Sequence, residues 1–137
     1  MKTAQPLGIT SILASATLPR FRFIGFNGGL CAANAKALGV SDSDADSGQQ
    51  AGVMFSGIGL VEAAASIAQG ASLVSDAAGK AITATVFSAT VPAGGTAVTS
   101  TSAGPAMTLA GSVLPQSING YALDTGVAGD IIRVMVI

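Results

Sequence analysis

The chain has 137 residues; half are hydrophobic, 9% are charged, and there is no His, no Trp and a single Cys. A chain of that length is one domain. Without His, and with seven carboxylates set mostly in turn-like stretches, the composition speaks against acid–base catalysis, and a net charge of −1 speaks against a nucleic-acid partner.

Residues 1–19 read as an extended N-terminal arm that ends at Pro19. Lys2 precedes a mildly apolar run, and Ala14-Ser15-Ala16 has the look of a cleavage site. Pro6, Gly8, Thr10 and Ser11 interrupt the run, which argues against a signal peptide. Residues 20–137 form a single β-rich domain. Its first element is Arg20-Phe21-Arg22-Phe23-Ile24, whose alternation puts Phe21 and Phe23 on one strand face and Arg20, Arg22 and Ile24 on the other. Asn27-Gly28-Gly29 is a turn, and the Ala-rich stretch after Leu30 has room for a helical turn before Gly39.

Ser41–Gly48 reads as a polar, acidic loop, and Ala51–Val61 as a strand interrupted by Gly52, Gly57 and Gly59. Glu62–Gln69 is the one short helix expected, with Gly70 as its C-terminal cap. Leu73-Val74 is a strand, Asp76–Gly79 a turn, and Ala81–Phe87 a strand. Pro and Gly break up residues 88–108, which leaves either a flexible loop or weak strands. Leu109–Gln116 reads as an edge strand or a strand end at Pro115, Gly120–Leu123 as a strand, Asp124–Gly129 as a turn and Asp130–Ile137 as a terminal strand. The fold class is therefore all-β, a sandwich or barrel-like domain with one short helix. No window of about twenty residues is apolar enough to span a membrane.

The series Leu38-Gly39-Val40, acidic turn, Gly48, Ala51–Phe55 parallels Tyr121-Ala122-Leu123, Asp124, Gly129, Ile131–Val136. Two similar hairpins explain this more simply than a duplication.

Three motifs hint at ligands, and each fails on its own spacing. Asp42-Ser-Asp44-Ala-Asp46 opens like a calcium loop, but Ser47 and Val53 stand where Gly and Glu are needed, so a solvated turn is expected. Gly57-Ile-Gly59-Leu-Val-Glu62 lacks the third glycine of a dinucleotide fingerprint and has no βαβ unit around it. Arg20 and Arg22 are too few for a phosphate track. Cys31 has no His to activate it and is expected to be a small buried hydrophobe. No cofactor and no metal site are expected. With aromatics at 4%, the core must be thin for so apolar a chain, so apolar surface is expected to be covered by other subunits or a partner.

Several stretches together resemble the small decoration, or cement, proteins of tailed-bacteriophage capsids. They are Leu38-Gly39-Val40 with its acidic turn and Gly48, Ala64-Ala65-Ser66-Ile67-Ala68-Gln69-Gly70, Asp76-Ala-Ala-Gly79-Lys80-Ala81, and Gly120-Tyr121-Ala122-Leu123 with Ala128-Gly129-Asp130-Ile131-Ile132-Arg133-Val134. The resemblance covers about residues 30–87 and 119–137. It implies a β-rich structural virion protein on the outer surface of an icosahedral shell, bound to the major capsid protein, commonly as a homotrimer, with no enzymatic activity. Arg20, Phe21, Arg22 and Phe23 are then the capsid-contact candidates, with Arg20 and Arg22 facing acidic shell surface and Phe21 and Phe23 anchoring the strand. The alternative, a receptor- or glycan-binding module of a tail fibre or cell-surface protein, calls for an aromatic-lined groove. Tyr121 is the only Tyr, which disfavours it.

Overall fold

A computed structural model describes residues 2–85 and 116–137. Of these, residues 2–84 and 116–137 belong to one compact unit. Among the described residues it has eight strands: β1 Gln5–Leu13, β2 Phe23–Ile24, β3 Gly39–Ser41, β4 Gln50–Glu62, β5 Ser72–Ser75, β6 Ala81–Thr83, β7 Gly120–Ala122 and β8 Ile131–Val136. They form one barrel-like sheet in the order β2-β3-β4-β8-β7-β5-β6, with β1 on β4. Every pairing between these eight strands is antiparallel. The all-β class holds, and the strands expected around Val53, Leu73, Ile82, Tyr121 and Ile132 are present. The expectations for 88–108 and for nearly all of Leu109–Gln116 lie outside the described residues.

Two local expectations are corrected. Among the described residues there is no helix. Glu62 is still in the β4 ladder opposite Ile131, and the amides that follow are spent across the fold. Ala63 N donates to Asp130 O, Ala64 N to Ala81 O and Ile67 N to Gly126 O. An eight-residue helix has little stability of its own, so tertiary pairing overrides the propensity of its alanines. Residues 20–24 are not a single alternating strand either. Phe21 has φ 65°, the left-handed region, and β2 begins only at Phe23. Phe23 and Ile24 are both buried, because Phe23 enters one hydrophobic cluster and Ile24 the other.

The segment expected to be an arm is extended, as β1, and pairs along β4 of its own chain from Gln5↔Ile58 to Leu13↔Gln50. Its link to the next strand is anchored by Ala14 and Leu18, which are buried with Ile24, Ala45, Ala51 and Val53. The register slips twice in this pairing. Leu7 on β1 and Phe55 on β4 are each left without a partner, as in a β-bulge, which re-aims the extra side chain.

The two similar hairpins are one structural unit used twice, contrary to the simpler reading of their sequences. Phe23↔Val40 and Ile24↔Gly39 are matched by Ser72↔Tyr121 and Leu73↔Gly120. Val40↔Met54 and Ser41↔Val53 are matched by Tyr121↔Met135 and Ala122↔Val134. Leu13↔Gln50 is matched by Glu62↔Ile131. The loops follow suit: Leu18 and Ala45 exchange both backbone hydrogen bonds, and so do Ile67 and Gly126. Gly48 and Gly129 occupy the same turn position at φ 89° and 91°, a conformation that favours glycine. The matched residues are Gly39 with Gly120, so the parallel of Leu38-Gly39-Val40 with Tyr121-Ala122-Leu123 is out of step along the strand. A side chain at either glycine would collide with the carbonyl of the neighbouring strand, at Met54 or at Met135.

The first repeat thus comprises β1, β2, β3 and the start of β4. The second comprises the end of β4, then β5, β7 and β8. Between Leu73 and Gly120 the second repeat carries a longer connection than the one between Ile24 and Gly39, and β6 and residues 86–115 fall within it. The repeats stack on each other. Phe23, Val40 and Met54 of the first share a cluster with Val61, Leu73, Ile132 and Val134 of the second. The smaller cluster around Leu18 belongs to the first repeat alone.

Candidate functional site

The four contact candidates divide into a surface pair and an interior pair. Arg20 is exposed. Its amide donates to Asp44 Oδ1 at 2.7 Å, and its guanidinium carbon lies 4.8 Å from the centroid of the Phe21 ring, within cation–π range. Phe21 is half-buried, and its carbonyl accepts from Glu62 N at 2.9 Å. That bond holds the residue in a left-handed conformation that a bulky side chain rarely adopts. Arg20 and Phe21 together form one wall of a shallow cleft whose other walls include Ala4, Val40, Asp42 and Leu60.

Arg22 and Phe23 point away from this surface. Arg22 Nη2 pairs with Glu62 Oε2 at 2.9 Å, and Nη1 donates to Ala78 O at 3.1 Å. Lys80 Nζ takes the other carboxylate oxygen at 3.0 Å. The Lys80 hydrogen bond is the main reason the Glu62 carboxyl is held below its ordinary range, with Arg22 adding to it. Arg22 is thus a strut between the repeats and does not present its charge to an acidic partner. Phe23 is fully buried; it anchors the strand, as expected, and offers no contact area.

The acidic turn has an internal use. Asp44 caps the Arg20 amide, and Thr125 Oγ1 does the same for Gln69 N at 3.3 Å in the second repeat. The side chain at this position is a loop cap first, and its charge is incidental. Cys31 is buried, and its Sγ lies 3.4 Å from Ala35 O. Burial pushes its thiol up from the ordinary value, which suits an inert hydrophobe.

Sequence reasoning missed the exposed apolar residues of the sheet. Leu7 is 83% exposed and Phe55 47%, and both are the extra residues of the β1/β4 register slips. Tyr121 and Met135 face out from the second repeat, opposite each other in the β7/β8 ladder. No sequence signal marks the last pair, because the residues matched to them, Val40 and Met54, are buried.

A family model for phage cement proteins matches residues 4–115. The chain belongs to the phage cement protein family. Among solved structures, this cement protein is similar to the head fiber gp8.5 N base in bacteriophage phi29, with a TM-score of 0.64 and 16% identity, over 95% of this chain and 93% of that one. At that identity the likeness concerns the fold. No curated protein matches the chain. Membership makes this cement protein a capsid-associated structural protein of a phage virion.

Proposed function

We propose that this cement protein binds the outer surface of its phage capsid, contacts the major capsid protein and stabilises the shell, acting as a homo-oligomer, with a trimer favoured. Membership of the cement family carries this reading. A rigid sheet with exposed apolar side chains suits it, since binding energy spread over neighbouring capsid subunits raises the free energy of shell rupture by mass action, with no chemical step. The role is structural, not enzymatic.

Of the four candidates named from sequence, Arg20 and Phe21 are available for the capsid contact. Their backbone is held by the Asp44 cap and by the Glu62–Phe21 backbone bond, so little main-chain freedom remains to be lost on docking. The test is cosedimentation with shells freed of their own cement protein. The full chain should pellet saturably with shells, and Phe21→Ser should weaken binding by tenfold or more while leaving the circular dichroism unchanged. Undiminished binding by Phe21→Ser would remove the Arg20–Phe21 wall from the contact; no binding by the full chain would overturn the function.

A further inference from the structure

The stacking of the two repeats has two open ends. On the first repeat, Val40 and Met54 are 2% and 3% exposed because the second repeat lies over them. On the second repeat the same positions hold Tyr121 and Met135, and they are 37% and 44% exposed. Nothing among the described residues plays for them the part that β4 and its core play for Val40 and Met54. At the other end, the small cluster of the first repeat is closed only in part by Ile12, Leu30 and Leu38. The residue matched to Ile12 in the second repeat, Val61, is fully buried.

From this complementarity we infer that a second copy of this chain seats the Thr10–Ile12 face of its first repeat on the Tyr121–Met135 face of the second repeat, as the repeats seat on each other within one chain. The inference rests on the homo-oligomer reading above and supplies its interface. The occupant is a copy of this chain because the internal interface is a template in which one partner is a second repeat and the other a first, and each open face belongs to the matching kind of repeat.

The rims agree with this. Inside the chain the edge of the stack is bridged by Arg22 and Glu62. The matched positions at the two open ends are Ala71 and Leu13. Leu13 is exposed and Ala71 half-buried, so the intermolecular contact replaces an ion pair by two apolar side chains and strands no charge. The contact joins unlike faces, so copies propagate head to tail and close into a ring if the rotation permits.

Disulfide trapping tests the geometry. A Cβ built on Gly59 lies 3.6 Å from the Val40 Cβ once the flexible tip of Met54, which it would otherwise overlap, moves aside; that is within the 3.5–4.5 Å span of a disulfide. The matched residues are Thr10 for Gly59 and Tyr121 for Val40. Thr10→Cys and Tyr121→Cys chains carrying different tags are co-expressed and mildly oxidised; Cys31, buried, does not compete. A mixed-tag disulfide dimer should form at least tenfold more than with Thr10→Cys and Ala128→Cys, whose second site is on an exposed loop. Separately, Met135→Glu should raise the dissociation constant of the oligomer at least tenfold without changing the fold by circular dichroism. An oligomer with no excess of the mixed disulfide, or one indifferent to Met135→Glu, overturns the interface while the homo-oligomer reading stands. A folded monomer at high micromolar concentration overturns both.

Discussion

Asp44 accepts a hydrogen bond from the backbone amide of Arg20 at 2.7 Å, which makes one carboxylate of the acidic turn part of the fold. Its neighbours Asp42 and Asp46 are exposed, and among the described residues their carboxylates accept no hydrogen bond. Asp44→Ala is therefore expected to cost about 1 kcal/mol, as the loss of a capping acceptor does. Asp42→Ala and Asp46→Ala should each stay within about 0.5 kcal/mol of the parent. Urea unfolding of the three variants checks this, and calcium should leave all of the midpoints in place.

Phe21 and Phe23 look alike in sequence and should behave oppositely. Phe23 is fully buried in the larger cluster, and Phe23→Ala should lose about 3–5 kcal/mol. Phe21 is half-exposed and sits at φ 65°. Phe21→Gly removes the ring but relieves the left-handed strain, so its stability should change by less than about 1 kcal/mol while shell binding falls. Paired denaturation and cosedimentation measurements separate the two roles.

That contrast shows where sequence reading stops. Apolar runs bounded by turn residues marked β4, β5, β7 and β8, because burial leaves its record in side chains. The repeat left almost none. It is held by backbone pairings such as Leu18–Ala45 and Ile67–Gly126, which are indifferent to side-chain identity, so only positions such as Gly39 and Gly120 had to stay alike. The Ala64–Gln69 stretch misled for the same reason: its helix-favouring alanines lie in a loop whose amides are bonded to distant strands. The Arg/Phe alternation assigns Arg20 and Phe21 to opposite strand faces, whereas the two side chains stack on each other beside a left-handed Phe21. The turn at Phe21 then sent Arg22 to Glu62, a partner forty residues away in sequence, which no local pattern encodes.

Asp124 gives the protein an acid limit. Arg133 donates to it from Nη2 at 2.9 Å, from Nε at 3.1 Å and from its backbone N at 3.0 Å. The side-chain bonds, first, and the backbone bond, second, lower its pKa from 3.8 to about 2. A carboxylate depressed on folding stabilises the protein fully above its unfolded pKa and loses that contribution as pH falls through the folded one. The melting temperature should therefore drop between about pH 4 and pH 2. Asp124→Asn should flatten part of that limb, leaving the part due to Glu62, whose carboxyl is also held below its ordinary range.

Deletion of residues 1–18 removes Ala14 and Leu18, which are buried in the first repeat's own core. Such a chain should fail to fold, as shown by loss of the cooperative urea transition. Replacing only the exposed Leu7 by Ser should keep that transition within about 0.5 kcal/mol of the parent.

The most direct measurement of the proposed role is the rupture temperature of stripped capsid shells, recorded by light scattering or calorimetry as the cement protein is titrated in. Saturable occupancy of the shell exterior, accompanied by a rise in rupture temperature that follows that occupancy, is the predicted result. Saturable binding with no change in rupture temperature would contradict stabilisation, and no binding at any ratio would contradict the capsid as partner.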